Sequence, residues 1–320
     1  MAAPACSDKE FIALWEKFGS SSELAKHLNV TLRNVQERRR RIEDRYNISL
    51  ISTNPKSPDF KVTYPENNIR ATAELSDGVV IVASDCHYWP ELVTTAHRAL
   101  VNIIKRVKPK MVVINGDAFD GASISRHPAG NWQSLPSVKQ ELEACQERLK
   151  ELQKAAKGSV LHWTWGNHDL RFNARLASQV GDTWKGIEGM DLRDHFREWK
   201  FSTSLLINEN TMIKHRWHNG IHAVYNNALK SGVSIVTGHL HSLKVTPWTD
   251  YNGTRYGVDT GTLATLEGQQ FEYAEDNPKN WRSGFAVLTF YNGKLMPPEL
   301  CEVISEEGGL VYFRGEIISV

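Results

Sequence analysis

Val79-Val80-Ile81-Val82-Ala83-Ser84-Asp85-Cys86-His87 runs from five consecutive apolar residues straight into a polar tetrapeptide, and the fold turns on how that passage is read. An apolar, mostly β-branched run without polar alternation is the pattern of a strand buried on both faces, as in parallel sheets. An amphipathic stretch from Leu92 to Val107 and a second buried run at Met111 to Ile114 complete a β-α-β unit. The alternation continues with a helix around Val138 to Ala156, a strand at Val160 to Trp165, paired strands near Leu205 to Asn208 and Met212 to Trp217, a helix from His222 to Lys230 and a strand at Ser234 to Thr237. Beyond Leu243 strands dominate, including Arg255 to Val258 and Phe285 to Phe290. Helices between strands, followed by further strands, predict a layered α/β or α+β sandwich. No Gly-x-Gly-x-x-Gly follows the first strand, which excludes a simple dinucleotide-binding sheet.

Open α/β sheets carry their sites where strands end. Those positions read Ser84-Asp85-Cys86-His87, Gly116-Asp117-Ala118-Phe119-Asp120, Gly166-Asn167-His168-Asp169, His218-Asn219-Gly220 and Gly238-His239-Leu240-His241. Taken singly, each has a plainer reading: a surface pair, a helix cap, or histidines satisfied in a core. Taken together, imidazoles, carboxylates and an amide oxygen without a thiolate cluster form a borderline-to-hard donor set, suited to Mn first and to Fe or Zn as well. His218 is taken as the donor of the fourth motif because it closes the run 211 to 217, while His215 and His222 read as packing or surface histidines.

The five motifs, in this order, resemble the calcineurin-like metallophosphoesterase superfamily over approximately Val79 to Leu243. The resemblance implies a four-layer α/β/β/α sandwich and two divalent metal ions. One would be held by Asp85, His87, Asp117 and His241; Asp117 would bridge to a second, held by Asn167, His218 and His239. His168 is similar to the family's acid or phosphate-contacting histidine, Asp120 to the carboxylate that orients it, and Asp169 to a supporting residue behind the ligands. His-Asn-Gly at 218 to 220, where many members have His-Gly, is the main departure. The chemistry agrees, since two cations ~3.5 to 4 Å apart can share a hydroxide and stabilise an in-line displacement, and a protonated imidazole lowers the barrier to alkoxide departure.

The rest of the chain bears on substrate. Lys+Arg 38 against Asp+Glu 37 names no partner globally, but Leu24 to Arg41 holds six basic residues and one acid, whereas Gly268 to Val320 holds eight acids and four bases. Phe11, Leu14, Trp15 and Phe18, then Leu24, Ala25 and Leu28, then Val35 and Ile42 after a Thr31 cap, predict three short helices. Residues 23 to 35 resemble a helix-turn-helix, leaving Arg33, Arg38, Arg39, Arg40 and Arg41 outward for nucleic-acid phosphates. Residues 1–50 are expected to form this domain, 51–77 a linker rich in Pro and Asn, and 78–320 the main body. Arg126, His127 and Arg171 are candidate substrate contacts, and Tyr88, Trp89 and Trp132 candidate base-stacking residues. Such a head joined to a metallophosphoesterase resembles phage and bacterial phosphoesterases and, at the motif level, exonucleases of double-strand-break repair. The expectation is a phosphodiesterase or nuclease acting on DNA or a nucleotide polymer. The alternatives are a phosphomonoesterase or small or cyclic-nucleotide phosphodiesterase, and a non-catalytic DNA-binding regulator. Cys6, Cys86, Cys145 and Cys301 are scattered without metal spacing, and no apolar run reaches the roughly 18 residues of a membrane span. Both features predict a cytoplasmic protein with no membrane partner; self-association is compatible with them.

Overall fold

The computed structural model describes residues 6–18, 21–46, 48, 50, 60–67, 69–126, 134–267, 271 and 279–320. It divides into two compact units, Met1–Lys61 and Val62–Val320.

The first unit contains helices Asp8–Phe18, Ser21–Leu28 and Leu32–Tyr46. Ser7 and Glu10 cap the first reciprocally, through Glu10 N–H to Ser7 Oγ at 3.3 Å and Ser7 N–H to Glu10 Oε2 at 2.7 Å. Thr31 Oγ1 accepts from Asn34 N–H at 3.2 Å and starts the third. Phe11, Trp15, Leu24, Ala25, Val35, Ile42 and Leu50 form the core. Two of the five arginines expected to face outward are packed instead. The Arg38 guanidinium lies 5.1 Å over the Phe11 ring and donates to Asp8 Oδ1 at 3.3 Å and to the Cys6 carbonyl. Arg39 lies 4.8 Å over Trp15 and pairs with Glu43 at 3.0 Å. Long arginine stems cover apolar surface that the short helices leave open. Arg33, Arg40 and Arg41 are exposed.

The body is built on two sheets. One is ordered Phe60–Thr63, Arg70–Leu75, Ser204–Ile207, Thr211–Ile213, Ser234–Thr237, Gly253–Asp259, Lys244–Asp250. The other is ordered Glu316–Ser319, Leu310–Phe313, Glu299–Ser305, Gly284–Tyr291, Gly78–Ala83, Met111–Asn115, Val160–Thr164, Lys200–Ser202, with Lys294–Leu295 paired beside Gly284–Tyr291. Helix Thr95–Val107 packs on the second sheet and on helix Val138–Ala155, while helix Ala223–Ser231 covers the first. This is the expected four-layer α/β/β/α arrangement. Met111–Asn115 and Ser234–Thr237 are buried throughout, one in each sheet.

Part of the expected linker is strand. Arg70–Leu75 alternates with Ala71, Ala73 and Leu75 inward, and pairs in parallel with Ser204–Ile207. Its inward residues are mostly alanines, too small to give a hydrophobic signal between the flanking Pro and Asn. Residues 51–59 lie outside the described residues.

Register sets the site. Ala83 pairs with Ile114, and Asn115 with Thr164, so the first three parallel strands end level and deliver their loops to one edge. In the other sheet Ile213 pairs with Val236, and Thr237 with Asp259.

Candidate metal centre

Four strands place a donor residue two positions beyond their last residue: Asp85 after Ala83, Asp117 after Asn115, His215 after Ile213, and His239 after Thr237. Asn167 stands three beyond Thr164. The loops are stitched together by main chain, with Asp85 N–H donating to Gly116 O at 3.0 Å and His87 N–H to Asp117 O at 3.0 Å. Asp85, His87, Asp117, His239 and His241 all adopt positive φ, between 40° and 72°. Such backbone costs roughly 1–3 kcal/mol each and persists only where surrounding contacts fix it. Space is equally constrained. A Cβ on Gly166 would collide with the Asp117 side chain, and one on Gly116, at φ 85°, with the His215 ring.

Among the described residues, side-chain donors converge in three groups, the first two sharing His87: Asp85, His87 and His241; His87, Asp120 and His168; and Asp117, His215 and His239. His215 Nδ1–H donates to the Asn115 carbonyl at 2.7 Å, which directs Nε2 to within 3.0 Å of Asp117 Oδ2 and 4.0 Å of Asp85 Oδ1. His241 Nε2 lies 3.2 Å from Asp85 Oδ1. Yet His215 Nε2, Asp85 Oδ1, Asn167 Oδ1, His218 Nε2 and His241 Nδ1 are all buried without a hydrogen-bond partner among the described residues; of the two histidines near the fourth motif, only His215 also joins Asp117 and His239 in a donor group. Buried polar atoms left unpaired are costly, and a cation held between Asp85 Oδ1 and His215 Nε2, 4.0 Å apart, resolves both, so these residues fit a metal site. Its electrostatics point the same way. Burial opposes ionisation of Asp85, but His241 and His215 hold its pKa down at about 2. Burial opposes the His215 cation, but Asp117 and Asp85 push its pKa up to about 10. Burial and then His215 lower His239 to about 4, keeping it neutral and able to donate a lone pair.

His215 therefore occupies the position expected for His218. The strand expected to run on to Trp217 stops at Ile213, so the donor position comes at His215. His218 instead lies tilted against Trp217, with ring centroids 4.7 Å apart, and its backbone N–H donates to Asn227 Oδ1 at 3.2 Å. The two-residue offset after Ala83 and Thr237 was the available signal.

Beside these groups, Asp120 Oδ1 accepts from His87 Nδ1 at 2.6 Å and His168 Nδ1 at 2.8 Å. The carboxylate thus turns both Nε2 atoms away from itself. Burial opposes the His168 cation, but Asp117 and Asp120 raise its pKa above the ordinary value, with Arg171 acting against them. Arg171 donates from Nη1 to Asp120 O at 2.9 Å and from Nη2 to His168 Nε2 at 3.1 Å. Asp169 supports the whole edge by accepting N–H from Asp117, Ala118, Phe119, Gly166 and Trp163 at 2.9 to 3.1 Å.

Sequence reasoning missed three further supports. Thr262 Oγ1 donates to Asp85 O at 2.6 Å. Asp259 Oδ1 accepts from Ser242 and Gly261 N–H, each at 3.0 Å, behind His241. Glu141, fully buried, accepts Ala122 N–H at 2.9 Å behind Asp120. Arg126 is exposed; His127 and Trp132 lie outside the described residues. Tyr88 is buried against His97, with its hydroxyl 3.1 Å from Nδ1, and Trp89 is half-buried. Among the described residues no helix is long and apolar enough to cross a membrane.

The chain is 27% identical to the gene 54 protein of Mycobacterium phage L5 over 245 residues, 70% of this chain and 92% of that protein. It is 25% identical to the gene 54 protein of Mycobacterium phage D29 over 241 residues, again 70% and 92% of the two chains. A solved phosphoesterase from E. coli is similar at 16% identity and a TM-score of 0.37, covering 76% of this chain and 99% of that one. Residues 78–311 match the model of the calcineurin-like phosphoesterases. With that match spanning most of the chain and the donor residues converging at the strand ends, this protein belongs to the calcineurin-like phosphoesterase family.

Proposed function

We propose that the protein is a dinuclear metal-dependent phosphodiesterase acting on DNA or another nucleotide polymer. The observation that carries the reading is the meeting of two donor groups around Asp85, Asp117 and His215, with the His168–Asp120 pair alongside. Asp85, His87 and His241 would hold one cation; Asn167, His215 and His239 the other; Asp117 would bridge them. Manganese is the expected metal for this oxygen- and imidazole-rich set. When bound, two such cations neutralise the phosphoryl oxygens and lower the pKa of water for in-line attack.

The chain's own residues supply the rest. Asp120 fixes the His168 ring through Nδ1, leaving Nε2 to deliver a proton to the departing oxygen. Arg171 donates to that Nε2 in this structure. A substrate phosphate offers the guanidinium a better, charged acceptor; as Arg171 turns to it, the freed Nε2 takes up a proton from water, favoured by the charges of Asp117 and Asp120, and passes that proton to the departing oxygen. Loops stitched by Asp169 hold Asp117 and Asn167 in place meanwhile. In the head, Arg33, Arg40 and Arg41 offer exposed charge for nucleic-acid phosphates. The three buried cysteines and the phage relatives support work in a reducing host cytoplasm.

The test is a turnover panel on metal-loaded protein, comparing a phosphomonoester, a simple phosphodiester, cyclic nucleotides, and single- and double-stranded DNA. Turnover of the simple diester and of DNA is expected. Turnover confined to the monoester or to cyclic nucleotides would replace the reading with a phosphatase or a small-nucleotide phosphodiesterase, and no turnover on any would favour a non-catalytic DNA-binding role.

A further inference from the structure

Two tryptophans stand beside the donor groups, each with a lysine over its ring. Trp281 meets the His241 ring edge-on at 4.6 Å, and Lys279 Nζ lies 5.1 Å from its ring centroid. Trp217, two residues beyond His215, lies tilted against His218 with ring centroids 4.7 Å apart, and Lys214 Nζ lies 6.0 Å from its centroid. Trp217 remains 41% exposed, and Trp281 is half-buried, with Phe271 also against it at 5.1 Å. Burying a tryptophan yields more than burying almost any other side chain, so leaving two partly in water next to a polar centre needs another reason. Neither was among the base-stacking candidates Tyr88, Trp89 and Trp132; Tyr88 is buried, Trp89 half-buried, and Trp132 lies outside the described residues.

We propose that these two tryptophan–lysine pairs hold unpaired nucleobases on either side of the scissile phosphate, so that the preferred substrate is a single strand. The inference rests on the nucleic-acid reading of the same site. An indole face accepts any base by stacking. A duplex hides those faces in its own stack, so only an unpaired or frayed strand can use them. The lysines fit the same ligand. Each ammonium lies over an indole in a cation–π contact, Lys279 Nζ donating also to Leu266 O at 3.3 Å, and can exchange the ring for the adjoining backbone phosphate as the base takes the ring face. A phosphomonoester without a base would engage neither pair, and two separate pairs suit a chain of nucleotides better than one.

The test compares the full-length, metal-loaded protein with Trp217→Ala, Trp281→Ala and the corresponding phenylalanine variants. Substrates are an unstructured single-stranded oligonucleotide, the same sequence as a blunt duplex, and methyl p-nitrophenyl phosphate. The wild type is expected to show a kcat/KM for the single strand at least about tenfold above that for the duplex. Loss of one stacking face, ~1–3 kcal/mol per base, predicts that each alanine variant loses about 5- to 150-fold on the single strand, mainly through KM. The loss on the small diester should be much smaller. Phenylalanine, which keeps a ring face, should restore most of the loss; this matters for Trp281, whose removal also uncovers His241. Equal losses on strand and small diester, no rescue by phenylalanine, or a wild type that prefers duplex would overturn the inference. A wild type that cleaves the small diester but neither form of DNA would overturn the nucleic-acid reading as well. Cleavage of the single strand at unchanged rates by the alanine variants would overturn this inference alone.

Discussion

His215 Nε2 stands 3.0 Å from Asp117 Oδ2 with its other ring nitrogen donating to the Asn115 carbonyl, an orientation fixed before any ligand arrives. Among the described residues His218 Nε2 is buried without a partner, and its ring lies against Trp217. His215→Ala is therefore expected to lose one of two bound metal equivalents, with affinity falling by more than the roughly 10- to 100-fold that outer partners of ligands carry. His218→Ala should retain both. Elemental analysis of the purified variants decides between them, and the reverse pattern would return the ligand role to His218.

Replacing His168 by alanine should leave metal content intact while the cost follows the leaving group. An alkoxide leaving from DNA needs a proton; a nitrophenolate is already a stable anion. We expect a loss of about 10²- to 10⁴-fold on DNA and a clearly smaller one on an aryl diester. Asp120→Asn should show the same dependence more mildly, because the amide weakens the hold on His168 Nδ1. Equal losses on both substrates would instead make His168 a stabiliser of transition-state phosphate charge.

In the head, the arginines divide by burial. Arg40→Ala with Arg41→Ala should weaken DNA binding and lower the slope of log K against log salt by roughly 1 to 2, since each lost phosphate contact removes about 0.9. Arg38→Ala or Arg39→Ala should lower thermal stability instead, because these side chains cover Phe11 and Trp15. Binding across a salt series and melting curves separate the two effects; a salt slope untouched by the double change argues for an assembly role.

Glu141 gives the body a stability that declines with pH. Burial, and next the charge of Asp120, push its carboxyl up to about 8 from an ordinary 4.5. A carboxyl with a raised folded-state pKa favours folding fully below its unfolded value and loses that contribution as pH rises to the folded value. The loss between pH 5 and 8 is on the order of a few kcal/mol. Glu141→Gln, which resembles the protonated acid and keeps an acceptor for Ala122 N–H, should melt several degrees above the wild type at pH 9 and close to it at pH 5. A gap of the same size at both pH values would show that ionisation of Glu141 is not its source.

The sequence by itself determined the order of strands and helices in the body and most of the donor positions. Those signals are local: an apolar run long enough to be buried, then a polar turn holding Asp85 and His87, Asp117, Asn167, or His239 and His241. The three head helices were legible for the same reason, through the spacing of Phe11, Trp15, Leu24, Val35 and Ile42. Tertiary structure decided what depended on pairing partners distant in sequence. Thr211–Ile213 ends where its pairing with Ser204–Ile207 and Ser234–Thr237 ends, four residues short of Trp217, and that brings His215 rather than His218 beside Asp117 and His239. Arg70–Leu75 became a strand because Ser204–Ile207 offered it hydrogen bonds, despite alanines that carry little hydrophobic signal. Arg38 and Arg39 turned inward because Phe11 and Trp15, a helix away, presented rings for their stems to cover. Supports such as Glu141, Asp259 and Thr262 follow the same rule: a buried polar side chain takes its role from whichever backbone groups folding brings within hydrogen-bond reach.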